Sequence, residues 1–272
     1  MANRPSFDHR IARASELVAA YPASAQVLNF YIAIARYQKA LYGFIQQAQK
    51  SSGHRPSAID YRPFADSLDT ALLLPRFAGF LNVVKDNAPR PLASIAEQRV
   101  ADSAGCETLL RNFWQRSESE NLPDADAFFA RAFLQPYAEF VAERTPAPAQ
   151  TGNTATCPIC ESEPVVGVLR EENLGAKRSF ICSLCSYEWD FLRAMCPGCG
   201  EDRSDALATF VAEEFHHVRV EACDTCKVYM KTVDLTRNGL AIPVVDELAT
   251  LPLALWAEEH GYTKLQPNLM AV

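Results

Sequence analysis

Cysteine is almost missing from most of this chain. Of nine cysteines in 272 residues, only Cys106 lies outside the stretch from Cys157 to Cys226. Other absences narrow the function before any motif is read. No apolar run approaches the roughly 20 residues that a membrane span requires. The opening MANRPSFDHRIARASEL has no apolar segment of the secretory kind, so the protein is expected to be soluble and cytoplasmic. A basic surplus is also lacking. Lys and Arg number 26 against 33 Asp and Glu, for a formal net charge of −7 and a pI near 5.3. That argues against nonspecific nucleic-acid binding, which depends on clustered positive charge, although an acidic whole leaves room for a local basic patch. There is no P-loop, G-x-G-x-x-G, G-x-S-x-G or HExxH. The chain is therefore not expected to be an enzyme.

What is present is concentrated. Eight cysteines form four CxxC pairs: Cys157/Cys160, Cys182/Cys185, Cys196/Cys199 and Cys223/Cys226. Each pair can turn two thiolates toward one point, and two pairs complete a tetrahedral all-sulfur site. In a reducing cytosol such pairs are metal ligands or redox groups before they are structural disulfides. The pairs also repeat. CPIC and CSLC are separated by twenty-one residues, CPGC and CDTC by twenty-three. Arg178 and Arg219 each stand four residues before the third cysteine of their unit. The repeat favours sequential ligation, with Cys157, Cys160, Cys182 and Cys185 in one site and Cys196, Cys199, Cys223 and Cys226 in the other. An interleaved cross-brace is the alternative. Each unit would be a knuckle, a hairpin and a second knuckle, as in zinc ribbons and rubredoxin. Units this small lack a core of their own and need a metal.

A tetrahedron of four sulfurs suits zinc and a single iron alike. CPGCG is the rubredoxin form of the knuckle, in which Gly200 is expected to take a positive φ. Glu161 occupies that place in the first unit and departs from the pattern. Four cysteines close the coordination sphere, leaving no position for a substrate, so each site is either structural or electron-carrying.

The flanking sequence gives an α+β organisation. Residues 1–144 are expected to form an all-helical domain. Its main helix, capped by Ser24, carries Val27, Leu28, Tyr31, Ile34, Ala35, Leu41 and Ile45. Pro56 and Pro63 fall in a loop, and Pro75 breaks or restarts a helix begun near Asp66. One or two helices are expected over Leu92–Arg116. A last one, capped by Asp124, carries Phe128, Phe129, Phe133, Tyr137 and Phe140. TPAPAQTGNTAT, residues 145–156, reads as a linker. Two tandem rubredoxin-like or zinc-ribbon units follow at 157–194 and 195–238, with strands expected in VVGVLRE and HHVRVEA. A C-terminal helix and tail fill 239–272, ending the helix near Gly261.

Weaker candidates have plain explanations. His216 and His217, neighbours in an expected strand, would point to opposite faces, one to solvent and one inward. Cys106 reads as a small buried apolar residue. Tyr187, Trp189 and Phe191 are expected to wall a cysteine site or the contact between ribbons. Asp246 and Glu247 stand at a helix start, where the dipole favours negative charge.

Several local patterns together carry a resemblance. These are CSLCSYEWDFLRAMCPGCG with Glu188, Trp189 and Arg193, then Tyr229 and Lys231 after the fourth knuckle. Asp246–Leu251, Gly261–Tyr262 and Pro267–Asn268 complete the set. Residues 157 to about 270 closely resemble the FdhE family of formate dehydrogenase accessory proteins. The resemblance implies a non-catalytic cytoplasmic factor for assembly of active formate dehydrogenase. It implies the catalytic subunit of that enzyme as partner, and it favours iron over zinc in the two four-cysteine sites. A homodimer is left open. The readings that compete with it are a rubredoxin-like electron-transfer protein and a zinc-ribbon nucleic-acid-binding protein.

Overall fold

A computed structural model describes residues 4–51, 64–116, 122–146, 153–172 and 175–270. Pro56, Pro63 and half of the expected linker, residues 147–152, lie outside the described residues. No described helix is long and apolar enough to cross a membrane. The chain divides into two compact units, Phe30–Ala147 and a second made of Met1–Asn29 with Pro148–Val272.

The first unit is helical, as its apolar periodicity requires. It holds most of α2 (Ala25–Ser51), then α3 (Thr70–Asn87), α4 (Arg90–Val100), α5 (Ser103–Gln115) and α6 (Asp124–Ala142). Its core is aromatic. Phe133 lies 4.8 Å from Phe77 and 5.7 Å from Phe80, centroid to centroid. Trp114 stacks on Phe64 at 4.5 Å and donates its indole N–H to the Phe64 carbonyl. Helix α3 runs through Pro75 rather than breaking there. Its missing N–H costs a hydrogen bond, but Leu73, Phe77, Phe80, Leu81 and Val84 bury on one side of the continuous helix. Asp69 caps α3 by accepting from the Leu72 amide at 2.9 Å. Asp124 is the first residue of α6 rather than its cap, a position taken by Pro123. Cys106 is buried on α5, with Sγ 3.4 Å from the Arg99 carbonyl.

The second unit contains α1 (Phe7–Ala20), a seven-stranded sheet, α7 (Pro243–Ala249) and α8 (Leu251–Glu259). Its strands are β1 (Pro164–Glu172), β2 (Gly175–Cys182), β3 (Glu188–Asp190), β4 (Leu207–Val211), β5 (Val218–Cys223), β6 (Val228–Asp234) and β7 (Thr263–Lys264). They lie in the order β3-β2-β1-β6-β5-β4, with β7 also paired to β6. Each cysteine repeat supplies a three-stranded antiparallel ribbon. The ribbons join edge to edge where β1 meets β6 in parallel, Gly167 opposite Thr232. Because β1 and β3 run the same way, this parallel seam sets the ribbons head to tail, and one sheet continues across both. Gly167 is required at the seam, since a Cβ there would collide with Thr232 Oγ1.

Helices α7 and α8 cover one face of the sheet over Val218, Val220, Tyr229 and Val233. The single helix expected after Pro243 is thus two. Pro252 cannot supply the N–H that would carry α7 onward, so the chain restarts at Leu251. Gly261, at φ 82°, ends α8 as expected. Residues before Asn29 belong with this unit rather than with the helical domain. Ser24 shows why: its side chain does not cap α2 but is fully buried, donating to the Ala249 carbonyl at 2.7 Å.

Candidate metal centres

Two groups of four sulfurs form, each from one repeat. Cys157, Cys160, Cys182 and Cys185 make the first, and Cys196, Cys199, Cys223 and Cys226 the second. The sequential pairing of knuckles is the arrangement observed, not the cross-brace. In the first, Cys157–Cys185, Cys160–Cys182 and Cys160–Cys185 are 3.6, 3.3 and 3.5 Å apart, sulfur to sulfur. In the second, Cys196–Cys226 and Cys199–Cys223 are 3.6 and 3.7 Å apart. A tetrahedron with metal–sulfur bonds of about 2.3 Å has edges of about 3.8 Å, whereas a disulfide needs about 2.0 Å. The donor set and its spacing therefore fit one zinc or iron ion per group.

The knuckles achieve this by a shared backbone turn. After the second cysteine of each CxxC, the chain takes a positive φ: Glu161 59°, Ser186 55°, Gly200 77° and Lys227 59°. Gly200 takes the expected positive φ, and the knuckle at Glu161, expected to depart from that pattern, makes the same turn without a glycine. Each non-glycine residue there carries a backbone cost of roughly 1 kcal/mol, which the turn's own bonds offset. Glu161, Gly200 and Lys227 return their amides to the carbonyls of Cys157, Cys196 and Cys223 at 2.8–3.0 Å. Amides of Ile159, Leu184 and Gly198 point at the sulfurs of Cys157, Cys182 and Cys196, 3.3–3.4 Å away. Such donors stabilise thiolates.

The two groups differ in shielding. All four cysteines of the first are buried. In the second, Cys199 is exposed and Cys226 half-buried. Aromatics shield the first ribbon: Trp189 packs edge-on to Phe180, Phe191 stacks on Phe180 at 4.4 Å, and Trp189 donates to the Thr154 carbonyl at 2.9 Å. Arg178 pins one ribbon to the other. It is 4 % exposed, pairs with Glu221 at 2.6 Å and donates to the carbonyls of Leu192 and Met195 at 3.2 and 3.1 Å.

A buried charged network beneath the sheet went unread in the sequence. Asp246 and Glu247 are each 1 % exposed, so a favourable dipole is not their main partner. Asp246 accepts from His217 Nε2 at 2.9 Å and from Arg13 at 2.6 and 3.0 Å. Burial pushes its carboxyl up, but the His217 and Arg13 hydrogen bonds outweigh that and hold it below the usual range. His216 is exposed and His217 buried, though both sit in a turn before β5 rather than in the strand. Glu247 binds Lys231 at 2.9 Å and accepts from Asn268 at 2.8 Å, with Lys264 as a third partner. Lys231 also donates to the Glu247 carbonyl at 2.6 Å, capping the end of α7. Burial pushes the Lys231 ammonium down to about 8, more than Glu247 raises it. A signal was available for this: in VYMKTVD, Lys231 alternates with Tyr229 and Val233 on the inward face.

Comparison with known proteins agrees with this architecture. The family description "FdhE, central domain" matches residues 156–193, the first ribbon, and "FdhE, C-terminal domain" matches residues 195–271. A protein named "Protein FdhE homolog" from Aquifex aeolicus is 27% identical over 266 residues, spanning 92% of this chain and 90% of that one. Another of that name from Shewanella oneidensis is 39% identical over 117 residues, 42% of this chain and 38% of its own. The crystal structure of the FdhE protein from Pseudomonas aeruginosa superposes with a TM-score of 0.75 at 24% identity, covering 99% of this chain and 97% of that chain. That likeness shows the fold.

Proposed function

We propose that the chain is a member of the FdhE family of formate dehydrogenase accessory proteins and that it binds the catalytic subunit of a formate dehydrogenase during assembly. FdhE proteins are accessory factors, not catalysts. The observation that carries the reading is that one matched region spans the first cysteine ribbon and the other spans the second ribbon together with α7 and α8.

In this reading Cys157, Cys160, Cys182 and Cys185 hold one ion, and Cys196, Cys199, Cys223 and Cys226 a second. Zinc in these places supplies structural cross-linking, and iron supplies in addition a one-electron couple. Either ion would tie the two knuckles of its ribbon together, in addition to the core that the sheet shares with α7 and α8. Iron remains the family expectation. The chain's own residues do the holding: knuckle amides stabilise the thiolates, and Arg178 fixes the ribbons in register. Work on the client is by contact, and the cytoplasm is the setting in which a reduced CxxC framework persists.

The test is a host strain lacking this chain, grown on formate. Formate dehydrogenase activity should fall to background and return with the wild-type chain. The catalytic subunit should co-purify with the tagged chain under anaerobic conditions. Undiminished formate dehydrogenase activity in the deletion strain would overturn the proposal.

A further inference from the structure

The sheet face opposite α7 and α8 carries a cavity of about 340 Å³ beside the second cysteine group. Its wall includes Cys196 and Cys223. Met195, Leu207 and Met230 are among its apolar lining, and Arg193 and Arg219 supply positive charge. No carboxylate lies within ion-pair reach of exposed Arg193 among the described residues, whereas Arg178 and Arg219 share the single carboxylate of Glu221. The cavity adjoins β4, whose residues Leu207, Ala208 and Thr209 line it.

Strand β4 is paired on one side only: β5 is its neighbour, and among the described residues no strand lies beyond it. The repeat says what that edge is shaped for. Gly167 on β1 stands opposite Phe180, two residues before Cys182. Thr209 on β4 stands opposite Glu221, two residues before Cys223. Thr209 therefore occupies in the second ribbon the place that Gly167 holds in the first, and since it carries a side chain where Gly167 has none, a strand received there needs a residue smaller than Thr232 opposite it. At Gly167, β1 receives a parallel strand, β6, on its outer edge. The equivalent edge at Thr209 receives none.

We infer that the edge of β4 and the adjoining cavity form a docking site for an extended segment of the client polypeptide. The segment pairs in parallel with residues 207–211 and places an apolar side chain between Met195 and Met230. An acidic side chain of the same segment meets Arg193. This deepens the assembly-factor reading and rests on it. Strand addition supplies affinity through backbone hydrogen bonds and leaves selection to the pocket. Flexible methionines let one pocket accept related side chains, and Arg193 selects by charge. The occupant would lie against Cys196 and Cys223, so its binding and metal retention in the second group should strengthen one another.

The test uses the full chain, metal-loaded, and the purified catalytic subunit of its host's formate dehydrogenase as probe. Thr209→Trp, a substitution at the cavity mouth, should weaken binding about tenfold or more. Arg193→Glu should weaken it several-fold, with less effect at high salt. Both variants should keep wild-type metal content and melting. Backbone amides at 207–211 should gain hydrogen-exchange protection when the subunit binds. Wild-type binding with both variants unaffected overturns the site and leaves the assembly-factor reading standing. No binding by the wild type overturns both. Concentration-dependent self-association abolished by Thr209→Trp would overturn it in favour of a second copy of this chain on β4.

Discussion

Glu247 is one buried carboxylate facing two buried lysines, and Glu247→Gln would keep its shape while removing its charge. Lys231 and Lys264, whose side chains are 1 % and 6 % exposed, would then share an amide oxygen. Removing one partner of a buried ion pair costs roughly 3–5 kcal/mol, because the remaining charge stays desolvated. Folded domains hold only about 5–15 kcal/mol in all, so the loss should be unmistakable in urea denaturation of the metal-loaded chain. The denaturant slope should be unchanged. The pH dependence gives a sharper check. Burial already pushes Lys231 down to about 8, and loss of the carboxylate pushes it lower. Above the lowered value the variant's lysine sheds its proton in the folded state, while the wild type's is still charged. The deficit should therefore narrow as pH rises toward 8. Lys231→Met in the Glu247→Gln background should recover part of the loss. A deficit under about 1 kcal/mol, or one that ignores pH and the second substitution, would refute the claim that charge pairing holds α7 on the sheet.

Further outcomes follow from the same contacts. Asp246 has a lowered folded-state pKa, so its contribution is present above the ordinary carboxylate range and is lost as pH falls through the folded value. Asp246→Asn should lower stability at neutral pH and flatten acid unfolding below about pH 4, read by circular dichroism. Glu161→Gly, at a φ of 59°, should raise the melting stability of the first ribbon by about 0.5–1 kcal/mol. Gly167→Ala would drive a Cβ into Thr232 Oγ1 and should cost about 1–3 kcal/mol, with Thr232→Ala restoring much of it. Cys106→Ala, far from either cysteine group in sequence, should leave metal content measured by mass spectrometry at the wild-type value.

The chemistry of the cysteine sites was legible because ligand spacing is local. A CxxC turn is decided within a few residues, and the near-equal spacing of the two repeats was enough to choose sequential grouping. Helix α6 was legible for a similar reason: Phe128, Phe129, Phe133 and Phe140 announce a buried face by period alone. The parallel seam between β1 and β6 was not legible, because it joins Gly167 to the distant Thr232, and no local pattern encodes a partner. Asp246 and Glu247 misled for the opposite reason. A local explanation, the helix dipole, was sufficient on its own, yet the partners of Asp246 are His217 and Arg13, the latter 233 residues away. The same long reach carries Ser24 away from its capping role. At the knuckles, glycine was the sequence mark of positive φ. Glu161, Ser186 and Lys227 show that metal-site turns can impose that conformation on ordinary residues.

Two separate four-sulfur sites, one per ribbon, underlie everything proposed for this chain, and native mass spectrometry of paired cysteine variants tests them directly. The wild-type chain, purified without oxygen, should carry two metal ions, one for each group of four sulfurs. Cys160→Ser with Cys182→Ser strikes one group twice and should leave one ion. Cys160→Ser with Cys196→Ser strikes each group once and should leave none. The reverse pattern would mean that the knuckles are interleaved, and a wild-type chain with intramolecular disulfides and no metal would contradict the two-site picture altogether.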